Sequence, residues 1–119
     1  MAIVRLDHVQ VACPQDGEVA AREFYGGLLQ MPELAKPPTL AARGGVWFRA
    51  GAQQLHVGIE EPFVPARKAH PAFAVDDLDS LAERLQGTGV TITWDDAVPG
   101  QRRFFAFDPF GNRLEFVAA

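Results

Sequence analysis

Phe48-Arg49-Ala50-Gly51-Ala52-Gln53-Gln54-Leu55-His56 aligns without a gap on Phe107-Asp108-Pro109-Phe110-Gly111-Asn112-Arg113-Leu114-Glu115. Each stretch has an aromatic strand end, a glycine-bearing turn and a strand in which apolar residues alternate with polar ones, so one hairpin is written twice. Upstream, Asp7-His8-Val9-Gln10-Val11-Ala12 corresponds to Ala69-His70-Pro71-Ala72-Phe73-Ala74-Val75, at an offset only slightly larger than that of the hairpins. A loop absorbs such a difference at little cost. Between opening strand and hairpin each half carries a helical pattern, with Val19, Phe24, Leu28 and Leu29 in the first and Leu78, Leu81 and Leu85 in the second. Asp77 stands where an N-cap is wanted and Gly87 where the second helix should stop.

The remaining strands are expected around Leu40-Ala41-Ala42, Val46 to Arg49 and Gln54 to Ile59, then Val90 to Trp94, Arg102 to Phe107 and Arg113 to Val117. Both halves then read strand, helix, strand, strand, strand. The expectation is an α+β chain of two βαβββ modules with curled mixed sheets, eight strands and two principal helices, each helix covering the outer face of its sheet. Module one is 1–59 and module two 69–119. Residues 60–68, charged and with two prolines, form the linker within a single domain.

Composition agrees with one folded unit. The chain has 119 residues, 48% hydrophobic and 22% charged, with 11 Gly and 9 Pro, which excludes a disordered or collagen-like chain. A net charge of −4 speaks against a nucleic-acid partner, which calls for a basic face. No long apolar run or basic leader is present, so neither a membrane span nor a signal peptide is expected, and a cytoplasmic location is. The lone Cys13 cannot form an internal disulfide and lacks a basic partner that would activate it.

Strand parity separates an apolar face from its opposite. Val9 and Val11 oppose His8 and Gln10; Leu55, Val57 and Ile59 oppose Gln54, His56 and Gly58; Phe73 and Val75 oppose His70; Leu114 and Phe116 oppose Arg113 and Glu115. All three histidines therefore fall on the polar face of the first or last strand of a half, and Glu115 holds the position equivalent to His56. Imidazole and carboxylate are ligands for divalent first-row metals, so His8, His56, His70 and Glu115 are the candidate metal ligands. Gln10, Arg49, Gln54 and Arg103, with Arg102 and Arg113, are placed to rim a cavity and to hold a substrate carboxylate or phosphate. Trp47, Phe104, Phe105 and Trp94 are candidates for pocket lining or core. Tyr25 is expected to pack, and Asp7, Asp76 and Asp77 to serve turns and caps.

Leu6-Asp7-His8-Val9, Glu23-Phe24-Tyr25 and above all Asp108-Pro109-Phe110-Gly111-Asn112-Arg113-Leu114-Glu115-Phe116 resemble the vicinal oxygen chelate superfamily across essentially the whole chain. That superfamily includes glyoxalase I, bleomycin- and fosfomycin-resistance proteins, methylmalonyl-CoA epimerase and extradiol dioxygenases. In the closing turn Pro109 sets φ and Gly111 can take φ > 0, which delivers Glu115 onto the polar face. The resemblance implies one divalent ion (Zn, Ni, Mn or Fe) held at His8, His56, His70 and Glu115. Glyoxalase I and the epimerases usually place Glu or Gln where this chain has His56.

The function it implies is that of a lyase or isomerase acting on a small oxygen-rich substrate by bidentate metal chelation, with Glu115 as the catalytic carboxylate. The alternatives are a non-catalytic small-molecule or antibiotic-binding protein of the bleomycin-resistance type and an Fe(II) extradiol-type dioxygenase. A homodimer is expected, pairing module one of one chain with module two of the other.

Overall fold

A computed structural model describes all residues 1–119. Two compact units, Met1–Phe63 and Val64–Ala119, each contain one open four-stranded mixed sheet, as the repeat demanded. In the first unit the elements run β1 (His8–Cys13), α1 (Glu18–Ala21), a π-helical segment (Arg22–Leu28), β2 (Glu33–Leu34), α2 (Pro38–Ala41), β3 (Val46–Ala50) and β4 (Gln53–Ile59). The second unit follows with β5 (Ala72–Val75), α3 (Leu78–Gly87), β6 (Ile92–Asp95), β7 (Arg103–Phe107) and β8 (Arg113–Ala118). The strand orders are β1-β4-β3-β2 and β5-β8-β7-β6. In each sheet the first strand runs parallel to the last and the other pairs are antiparallel.

Parity sorts the faces as the alternation of side chains requires. In the first unit Cys13, Val46, Phe48, Leu55 and Val57 are buried with Ala21, Phe24 and Tyr25 from the helical segment. Tyr25 lies against Phe24 and Phe48, with ring centroids 5.1 and 5.9 Å away. In the second unit Leu78, Leu81, Ala82 and Leu85 of α3 are buried, as are Phe104, Ala106, Leu114 and Phe116 of the sheet. Burying each such side chain contributes roughly 1.5–3 kcal/mol, so in each unit the apolar face of the sheet is fastened to its helical segment.

Three local expectations change. Leu40-Ala41 is helical rather than extended, because Pro38 occupies the first helical position and neither leucine nor alanine favours a strand. The second strand is instead Glu33–Leu34, paired with Phe48 and Trp47. Val19 is 66% exposed, because the widened winding of 22–28, seen in the bond from Leu29 N–H to Phe24 C=O, carries Ala21, Phe24 and Tyr25 inward instead. Gly87 is the last residue of α3, and the left-handed conformation that ends the segment falls at Gly89 (φ 87°). Asp77 caps α3 by accepting from Ser80 N–H at 3.0 Å. No helix is long and apolar enough to cross a membrane.

Candidate functional site

In the first unit β1 and β4 run side by side, with Gln10 opposite His56 and His8 opposite Gln54. His56 is sandwiched: the His8 ring lies on one side with centroids 4.2 Å apart and planes at 14°, and Trp47 of β3 stacks on it at 4.0 Å and 5°. This stack buries His56 to 5% exposure on the polar face. Its Nε2–H donates to Gln54 Oε1 at 2.9 Å, which leaves Nδ1 as the unprotonated nitrogen. Burial and the neighbouring His8 hold the His56 imidazole below its ordinary value of 6.5, so it stays neutral.

His8 is oriented differently. Its Nδ1–H donates to Asp7 Oδ2 at 3.0 Å, so the Nε2 lone pair points away from that contact. A carboxylate behind an imidazole is the arrangement that fixes the tautomer of a metal-binding histidine. The same hydrogen bond from His8, with Arg5 adding to it, holds the Asp7 carboxyl below the usual aspartate value. Gln10 extends over Gly58, where a Cβ would come within 2.9 Å of its amide, so a glycine at 58 gives that side chain its place. Arg49 is exposed on the outer strand side, opposite Gln54 in register.

The second unit assembles a charged cluster on the corresponding face. His70, just before β5, has Nδ1 2.8 Å from the Lys68 carbonyl and Nε2 2.8 Å from Glu115 Oε1. A carbonyl only accepts, so Nδ1 carries a hydrogen and Nε2 is left to face the carboxylate. At 2.8 Å the two atoms are within hydrogen-bond reach, and both are donor types that a divalent cation takes as ligands. Arg103 of β7 holds the other oxygen of Glu115 at 3.3 Å and reaches Asp95 of β6 at 3.2 Å. Burial pulls the Arg103 guanidinium down, but Asp95 and Glu115 outweigh it and keep it above its ordinary value. The bond from Ala97 N–H, then Arg103, lowers the Asp95 carboxyl.

Glu115 is delivered by the turn before β8. Asp108 Oδ1 accepts from Phe110 N–H and Asn112 N–H, each at 2.9 Å, and Oδ2 accepts from Asn112 Nδ2 at 2.8 Å. Asn112 Oδ1 in turn accepts from Ala66 N–H at 3.2 Å. Gly111 takes φ 94°, which its lack of a Cβ permits. Asp108 and Asn112 are buried, and sequence reading gave neither a role; a buried acidic residue at the mouth of a Pro-Gly turn was the available signal.

The structure brings His8 beside His56 in one unit and His70 beside Glu115 in the other, each pair on the polar strand face. Within neither unit do three His, Cys, Asp or Glu side chains gather into a cation site. His70, Glu115 and His8 suit a divalent cation, since each has a donor atom oriented by a bond at its far side. His56 suits it less, because its Nε2–H is engaged by Gln54 and its ring is held between two others. Of the aromatics expected as pocket lining or core, Trp47 stacks on His56 on this face, whereas Phe104 is core at 0% exposure.

Comparison with known proteins places this architecture. A glyoxalase family protein from Bacillus anthracis is 46% identical, with a TM-score of 0.96 over 99% of this chain and 97% of that one. The fold is shared by lactoylglutathione lyase from Agrobacterium tumefaciens at 19% identity, TM-score 0.77, over 99% of this chain and 96% of that one. It is shared as well by an antibiotic-binding protein from a Streptomyces species at 24% identity, TM-score 0.78, over 99% of this chain and 98% of that one. None of the curated proteins matches the chain. The profile of one family covers residues 5–116, and on that match, with the doubled sheet and its paired histidines, the chain belongs to the Glyoxalase/Bleomycin resistance protein/Dioxygenase superfamily.

Proposed function

We propose that the chain is a metal-dependent enzyme of the lyase or isomerase type acting on a small oxygen-rich substrate, with His8, His70 and Glu115 as ligands of one divalent cation. The observation that carries this reading is the His70–Glu115 contact: an imidazole whose Nδ1–H is committed to Lys68 turns Nε2 onto a carboxylate oxygen 2.8 Å away. A bound divalent ion supplies Lewis acidity toward two neighbouring substrate oxygens. Glu115, with His70 and His8, would hold such an ion, and its carboxylate would serve as the base that takes a proton from the substrate carbon. Arg103 keeps Oε2 in place while it does so. Neutral His56 adds no charge and, sandwiched between them, holds the His8 and Trp47 rings in place. The subunits are proposed to pair as a symmetric homodimer, module one of one chain with module two of the other.

Elemental analysis of protein purified without an affinity tag tests this. Bound Zn, Ni, Mn or Fe is expected in the wild type and in Arg67→Gln, and is expected to be lost in Glu115→Gln. Equal metal content in the wild type and in a His8→Ala/Glu115→Gln double variant overturns the proposal. The second reading, a binding protein without catalysis, is favoured by the Arg103 contact, which already neutralises Glu115. A metal-free preparation that retains ligand binding decides for it.

A further inference from the structure

The sheet of the second unit carries three arginines near its polar face and edge, and two of them are committed. Arg102 forms a two-pronged pair with Asp79 at 2.8 and 3.0 Å, and Arg103 bridges Asp95 and Glu115. Arg113 makes no ion pair; its guanidinium lies instead over the Phe105 ring, Cζ 4.1 Å from the centroid. Arg113 and Glu115 share a face of β8, and Phe105 stands directly opposite Glu115 on β7. The His70 ring meets the same phenylalanine edge-on at 5.6 Å, and Arg103 approaches it at 5.4 Å. Phe105 is therefore the hub of His70, Arg103 and Arg113, of which His70 and Arg103 contact the oxygens of Glu115.

We propose that Arg113 is the anchor for an anionic group of the substrate, a carboxylate or phosphate whose oxygens accept two parallel N–H bonds. This rests on the reading of the face as a substrate site. A guanidinium lying flat on a ring is held by the quadrupole of that ring rather than by a counter-ion, and its N–H edge stays free in the plane. Both oxygens of Glu115 are already engaged, by His70 and by Arg103, so the carboxylate two residues away does not draw Arg113 off the ring.

Charge points the same way. Glu115 and Asp95 balance Arg103 and Arg113, so a divalent ion at Glu115 leaves this face positive on a chain whose net charge is −4. An anion reduces that excess, and the free fork of Arg113 is where planar or tetrahedral oxyanions are matched in geometry. Arg103 is the positioning residue for Glu115, and Arg113 the residue that selects an anionic substrate.

The test uses inorganic phosphate and acetate as probes, on metal-free and on zinc-loaded protein. Binding is followed by calorimetry and by the arginine Nε–H resonances, with that of Arg113 assigned from its absence in Arg113→Gln. One or both probes are expected to shift the Arg113 resonance, and which of them does so tells phosphate from carboxylate. Affinity is expected to fall at least about tenfold in Arg113→Gln, to recover in part in Arg113→Lys and to be unchanged in Arg43→Gln. A protein that takes up zinc normally, but whose affinity for both probes is the same with and without Arg113, overturns this inference and leaves the metal reading standing. A protein that takes up no zinc, yet binds a probe at Arg113, overturns the metal reading and supports the anchor. Circular dichroism and melting of each variant establish that the comparison is between folded proteins, and Arg113→Lys supplies a second folded variant if Arg113→Gln melts early.

Discussion

Asp108→Ala removes the acceptor around which the turn leading to Glu115 is folded. The Asp108 carboxylate takes three hydrogen bonds, from Phe110 N–H, Asn112 N–H and Asn112 Nδ2. Alanine takes this acceptor from both Asn112 donors in a buried position, since that residue is 2% exposed, whereas Phe110 N–H, half-buried, lies nearer to water. Hydrogen bonds to a charged group contribute about 1.5–3 kcal/mol and a stranded donor costs about 1–3 kcal/mol, so a loss of about 3 kcal/mol is expected after allowing for relaxation. Against a total stability of about 5–15 kcal/mol this is a large fraction. With a urea slope of about 1.5 kcal/mol/M the midpoint should fall by about 2 M. Asp108→Asn keeps an acceptor for the two backbone N–H groups and should lose about half as much. Urea unfolding followed by the fluorescence of Trp94, in a Trp47→Phe background, reads the second unit. A midpoint within about 0.3 M of the parent for Asp108→Ala would refute the idea that this carboxylate holds the turn.

Gly45, before β3, and Gly58, within β4, should differ in how much a side chain costs. At Gly45 a Cβ would lie 2.4 Å from the Val57 carbonyl at φ 87°, so Gly45→Ala should cost more than about 2 kcal/mol in a urea titration. At Gly58 it would meet only the mobile end of Gln10, so Gly58→Ala should cost less than about 1 kcal/mol, the Gln10 amide moving aside. Because burial and His8 lower the pKa of His56 in the folded chain, the unfolded chain binds the extra proton first as pH falls. Stability of metal-free protein should therefore hold above pH 6.5 and decline as pH drops from there toward the lowered folded value; His56→Gln should remove that slope, and an unaltered slope in melting curves counts against the stack. If subunits share sites, mixing His8→Ala with Glu115→Ala should restore metal binding in the heterodimer, one of whose sites receives both lesions and the other neither. No recovery after verified subunit exchange sinks the shared site.

Strand faces were legible because a period of two cannot be read in two ways once one large apolar residue is placed. His8, His56, His70 and Glu115 fall on the polar face for that reason alone, and Asp77 and the Gly111 turn were legible from local chemistry. Glu33–Leu34 was not, since two residues carry no period. Nor was the winding of 22–28, because a helix that gains a residue in one turn rotates its buried stripe without changing composition. The Trp47–His56 stack depends on the pairing of β3 with β4, a register that only the folded hairpin supplies. The same limit applies to the arginines: alternation places Arg103 and Arg113 on one face, and only the cross-strand neighbours Glu115, Asp95 and Phe105 show which guanidinium is engaged and which is free.

The repeat is topological, and its two polar faces solve opposite electrostatic problems at the same position. His56 on β4 and Glu115 on β8 are equivalent in the hairpin alignment and both are buried. A buried group of either kind must be neutral or paired. The first unit takes the neutral course: its imidazole is stacked between rings, bonded to the Gln54 amide and kept uncharged by burial. The second takes the paired course, with Arg103 on one carboxylate oxygen and His70 on the other. A carboxylate at 56 would find no such guanidinium, since the arginine on that face, Arg49, stands opposite Gln54 and is exposed. A histidine at 115 would face the guanidinium of Arg103 with no charge to offer it. Each residue is therefore matched to its own half: the charge at this position belongs to the second unit, where a guanidinium and an imidazole meet it, and the first unit holds a neutral, ring-stacked imidazole in its place.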